Sequence, residues 1–168
     1  DVLVYDAPPL DRDTTVAGPI EVDLWVATTG SDADFVVKLI DVFPENAADP
    51  EPNPRGVRMG GYQALVRGEV MRSRFRNSFE QPEPMTPNQP TRVRFKLPDV
   101  NHTFRVGHRI MIQVQSSWFP LVDRNPQQFI DIYRATPSDF QVATHKLYRG
   151  ADKRSSVTLP VLIGRSAP

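Results

Sequence analysis

Residues 19–29, PIEVDLWVATT, decide the fold class. Ile20, Val22, Leu24 and Val26 alternate with Glu21, Asp23, Trp25 and Ala27. Successive side chains leave a β-strand on opposite sides, so a two-residue period marks a strand with one face buried. Residues 91–97, TRVRFKL, repeat the pattern, with Val93, Phe95 and Leu97 set against Arg92, Arg94 and Lys96. Residues 108–117, HRIMIQVQSS, do so again through Ile110, Ile112 and Val114. Residues 35–43, FVVKLIDVF, are apolar on both faces, which suits a central strand covered on each side. With DVLVY (1–5), ALVRGEVMRSRFRNS (64–78), ATHKLYRG (143–150) and SSVTLPVLI (155–163), the count reaches about eight strands. Eight short strands separated by turn signals predict an all-β sandwich or barrel.

Composition agrees. The 168 residues suit one domain with one sizeable core, and 17 prolines speak against a helical bundle, because proline removes a donor and clashes with the preceding turn. Helical signal is confined to Phe129, Ile132 and Tyr133, spaced i, i+3, i+4, and to Thr136–Pro137 as a cap and first-turn proline, so one or two short helical turns are expected. The longest irregular stretch, residues 44–61, holds four prolines and three glycines and reads either as a solvated excursion or as a functional loop. No apolar run approaches the roughly 18 residues of a membrane span. The chain starts within a strand and without an initiator methionine, and is expected to be a fragment or a processed product.

The chemistry is mostly excluded. The absence of cysteine removes disulfides, thiolate metal sites and cysteine nucleophiles. Twenty basic residues balance 20 acidic ones, so no global field favours nucleic acid or an anionic membrane. The Gly-x-Ser-x-Gly turn of α/β-hydrolases is missing; its nearest approach is Gly164–Arg165–Ser166 at the chain end. His102 and His108 flank a turn at RVGHR, where His108 is expected to make turn or surface hydrogen bonds, and His145 is expected on a strand surface. Asp32 and Asp34 in GSDADF offer oxygens either to a calcium ion or, more commonly, to their own backbone. Arg72, Arg74 and Arg76 on one strand, and Arg92, Arg94 and Lys96 on another, would form a basic stripe if those strands paired. Ion-paired exterior, contact with another domain and nucleic acid are the readings of that stripe, in descending order. An apolar cluster at a strand exit, Trp118, Phe119 and Leu121, followed by Asp123, Arg124 and Asn125, reads as an interaction surface or as a loop folded over its own core.

Four blocks carry a family resemblance: SDADFVVKLIDVFP (31–44), MGGYQ (59–63), RGEVMRSRFRNSFEQPEP (67–84) and NHTFRVGHRIMIQVQSSWFPLVDRNPQ (101–127). In this order they resemble the C-terminal domain of the X-Pro dipeptidyl-peptidase/cocaine esterase class of bacterial serine hydrolases. Within that class they are most similar to α-amino acid ester hydrolases and glutaryl-7-aminocephalosporanic acid acylase-like proteins. The resemblance implies a jelly-roll β-sandwich of the galactose-binding-domain-like kind over residues 1–168. It also implies an upstream α/β-hydrolase domain holding the catalytic triad, so that this chain carries no catalytic residue, metal or cofactor. The implied partners are that hydrolase domain and a small acyl or peptide substrate bound mainly by it, with no nucleic acid and no membrane; a homo-oligomer is left open. The implied role is to pack on the core of a hydrolase cleaving ester or amide bonds of α-amino acyl or X-Pro substrates, and to wall its substrate entrance. A bacterial, periplasmic or secreted setting follows from the family alone. The competing expectation is a carbohydrate-binding module, for which Trp25 is the isolated aromatic candidate.

Overall fold

A computed structural model describes residues 1–163. Eight strands among them form two antiparallel sheets packed as a jelly-roll sandwich. The first sheet has the order β1 (Val2–Asp6), β6 (Arg109–Gln115), β3 (Asp34–Val42), β4 (Gln63–Arg72). The second has the order β5 (Thr91–Phe104), β2 (Thr14–Thr28), β7 (His145–Leu147), with β8 (Ser156–Thr158) pairing further along the same edge of β2. Every strand expected from alternation is present.

The core lies between the sheets. The inward residues of β2 (Ile20, Val22, Leu24, Val26) and β5 (Val93, Phe95, Leu97) meet Phe35, Val37 and Leu39 of β3, all buried. The doubly apolar reading of β3 holds: Lys38 is its one residue that is not fully buried. It lies between β6 and β4, as a central strand should.

Two strands run longer than alternation predicts, and prolines mark both places. β2 begins at Thr14 and passes through Gly18–Pro19, where Gly18 adopts φ 118° and the pairing with β5 shifts register before Ile20. Opposite this bulge, β5 runs through Pro98 and Asp99 to Phe104. Proline is tolerated at a bulge and on an edge strand because neither requires its missing donor, so here it bends the ladder without ending it.

Among the described residues, helical content is limited to single 3-10 turns, including Ile132–Arg134 and Pro137–Asp139. The latter carries the expected cap: Thr136 and Asp139 form a capping box around Pro137. The 44–61 excursion is closed by its own bonds, Gly61 N–H to Pro44 C=O at 3.2 Å, Met59 N–H to Asp49 Oδ1 at 2.7 Å and Val57 N–H to Asn53 Oδ1 at 2.7 Å. Among the described residues no helix is long and apolar enough to cross a membrane.

Candidate docking surface

The apolar cluster after β6 is held in place by a buried polar knot at the start of β3. Asp32, Asp34, Ser73 and Asn125 are all buried. Ser73 Oγ donates to Asp32 Oδ1 at 2.9 Å and accepts from Ala33 N–H at 3.0 Å. Arg74 Nε donates to Asp32 Oδ2 at 2.8 Å, and its Nη1 reaches Ile130 C=O at 2.8 Å. Asn125 Nδ2 donates to both Asp32 Oδ2 (3.0 Å) and Asp34 Oδ1 (2.8 Å), and Asn125 Oδ1 accepts from Gln127 N–H at 2.8 Å. Arg72 Nε lies 3.6 Å from Asp34 Oδ2, while its Nη2 donates to Asp123 C=O at 3.2 Å. A buried charge is tolerated when paired and hydrogen-bonded, and here each carboxylate has both kinds of partner.

Both earlier readings of Asp32 and Asp34 give way. Their oxygens accept from side chains distant in sequence, in place of a calcium ion or their own turn backbone. Burial still dominates at Asp34, pushing its carboxyl up from the ordinary value to about 6 against the Asn125 hydrogen bond and the Arg72 charge.

The six residues singled out in the sequence divide into three groups. Trp118 lies over Gly68 of β4, where a Cβ would fall 2.6 Å from the indole Cη2, and the Lys38 ammonium sits 4.6 Å from its ring centre. Trp118 therefore covers the outer face of the first sheet, away from the core between the sheets. Asn125 and the carbonyl of Asp123 belong to the knot. Phe119 and Leu121 remain 64% and 70% exposed. The Arg124 guanidinium lies 5.6 Å from the Phe119 ring centre and 5.1 Å from that of Phe140, so it joins two aromatic rings into one surface. Phe140 was not singled out in the sequence. It sits just past the Pro137–Asp139 turn, and only the fold brings it to Arg124.

His108 closes the turn as expected, its N–H donating to Arg105 C=O at 3.1 Å, but its side chain turns inward: Nδ1 lies 2.7 Å from Asp41 Oδ1 and the ring packs on Phe43, while His102 Nε2 lies 2.9 Å from the other oxygen of the same buried Asp41. His145 packs edge-on against Phe35 with centres 5.9 Å apart, and burial lowers its basicity. The basic stripe does not form: β4 ends at Arg72, so Arg74 and Arg76 leave the strand on a 3-10 turn, and β4 and β5 belong to different sheets. Five of its six members pair singly, Arg72 with Asp34, Arg74 with Asp32, Arg76 with Glu83, Arg92 with Asp23 and Lys96 with Glu21. Arg92 lies 6.0 Å from the Trp25 ring centre, over the face that a sugar platform would need. Gly164–Arg165–Ser166 lies outside the described residues.

Residues 1–158 match the X-Pro dipeptidyl-peptidase C-terminal non-catalytic domain. The chain belongs to this family. Among the relatives of this C-terminal domain is the cocaine esterase of Rhodococcus sp. (strain MB1 Bresler), 31% identical over 162 residues, covering 96% of the chain and 26% of that protein. A putative serine esterase of Mycobacterium bovis is 27% identical over 165 residues, covering 96% of the chain and 24% of that protein. Among solved structures, an α-amino acid ester hydrolase matches with TM-score 0.88 and 47% identity over 96% of the chain and 26% of its own. An aminopeptidase from a marine sediment Thaumarchaeota archaeon matches with TM-score 0.87 and 42% identity over 97% of the chain and 26% of its own. The chain thus spans about a quarter of the length of these relatives, and it is a non-catalytic C-terminal domain of X-Pro dipeptidyl-peptidase and cocaine esterase type hydrolases.

Proposed function

We propose that this domain serves a serine hydrolase that cleaves ester or amide bonds of α-amino acyl or X-Pro peptide substrates, by packing on its α/β-hydrolase core and walling one side of the substrate entrance. The observation that carries the docking role is the pair Phe119 and Leu121, 64% and 70% exposed on a loop tied down by buried Asn125. Large apolar side chains held rigidly at the surface gain free energy when covered, about 25 cal/mol for each Å² removed from water. Arg124 at the edge of the patch adds a planar donor fork suited to a carboxylate on the opposing surface. The α-amino acyl substrate class is supported by the 47% identity to an α-amino acid ester hydrolase.

The test is the double substitution Phe119→Ala with Leu121→Ala in the hydrolase that carries this domain. Trp118 is left intact because it covers the domain's own sheet. The variant domain should keep its own stability while the hydrolase loses several-fold in kcat/KM or in domain association. Unchanged kinetics together with unchanged thermal stability of the whole enzyme would reject the docking role.

A further inference from the structure

The sandwich is open along one side. β7 and β8 are three residues each, so the second sheet stops short of covering the first along β1. The gap is a cleft of about 310 Å³ between Tyr5 and Ile112 of one sheet and Leu24 and Leu147 of the other. That volume is at the small end of the roughly 300–1,000 Å³ typical of small-molecule pockets. Its walls are apolar, and charge enters at Arg149 and Arg154, both exposed and both on the loop joining β7 to β8. The ion pairs of the described residues engage neither of them.

The loop that presents these arginines is fixed to the neighbouring strand. Tyr148 N–H donates to Trp25 C=O at 2.9 Å, Trp25 N–H donates to Ser155 Oγ at 2.9 Å, and Ser155 N–H donates to Tyr148 C=O at 3.3 Å. The backbone that carries both arginines is therefore held beside an apolar hollow, so ligand binding pays for ordering their side chains but not the loop. Guanidinium pairs recognise a carboxylate through parallel N–H donors, and an apolar floor selects a tail that carries no polar groups.

We propose that this cleft binds a small amphiphilic carboxylate, with its alkyl or aryl tail between the sheets and its carboxylate at Arg149 and Arg154. The proposal does not depend on the docking role of Phe119 and Leu121, with which the cleft shares no residue.

Calorimetric titration of the chain with sodium octanoate, alongside octanamide and octylamine, tests it, with methyl NMR shifts locating the site. Octanoate should bind saturably, with shifts at Leu147 and Ile112, and at least tenfold more tightly than either analogue. Arg149→Gln with Arg154→Gln should weaken octanoate at least tenfold and leave octanamide binding unchanged, the latter demonstrating an intact cleft. The proposal is overturned by equal binding of octanoate and octanamide, by undiminished octanoate binding in the double variant, or by shifts that map elsewhere. Concentration-dependent self-association that perturbs the same methyl groups without ligand would equally overturn it, since a second copy would then be the occupant.

Discussion

Asp34 binds its proton more tightly in the folded protein than in the unfolded chain, because burial at 2% exposure pushes its carboxyl up to about 6. A raised value means that the proton stabilises the fold fully below the ordinary aspartate range, and that this contribution is lost as pH rises through about 6. The shift corresponds to an upper bound on the order of 3 kcal/mol. Asp34→Asn cannot titrate, so the stability of the native protein relative to this variant should fall between pH 4 and pH 7. Urea unfolding across that range measures it, and a flat difference would show that Asn125 and Arg72 compensate the charge in full. The lowered carboxyls of Asp13 and Asp23, held down chiefly by hydrogen bonds from Arg105 and Arg92, act in the opposite sense at lower pH. They are present in both proteins and cancel from the comparison.

At the scale of elements, the loop after β6 and strand β4 are matched to each other through Gly68 and Trp118. A Cβ at Gly68 would meet the indole at 2.6 Å, a distance at which the ring has to move. Gly68→Ala should therefore displace Trp118 from its place beside Lys38, changing tryptophan fluorescence and costing roughly 1–3 kcal/mol, as overpacking does. An unaltered emission spectrum with unaltered stability would mean that the ring is not seated there. The same pairing explains what was legible in the sequence. The alternation of β2, β5 and β6 is a local signal and is readable residue by residue. Pro19 and Pro98 read as strand ends, because their tolerance depends on a bulge and an open edge that belong to the assembled sheet. The sequence grouped Trp118 with Phe119 and left interaction surface and covering loop open for both, because only the fold places Gly68 beneath one ring and leaves the other in solvent.

For the molecule as a whole, the family assignment and the engagement of Asp41 by both His102 and His108 predict that the chain by itself is inert as a hydrolase. Incubated with p-nitrophenyl esters of short acids, it should release p-nitrophenol no faster than buffer; saturable turnover would contradict the non-catalytic assignment. Sequence by itself determined that this is an all-β chain of about eight short strands without a hydrolase nucleophile turn among them. Strand period, proline use and motif spacing are properties of neighbouring residues, and they survive without a fold. The tertiary structure alone decided which polar groups meet. Asn125 reaches Asp34 across 91 positions and His108 reaches Asp41 across 67, and no local pattern records such a pairing. It arises because burial between packed strands makes an unpaired polar group costly, so each one takes whichever partner the sheet topology brings within reach.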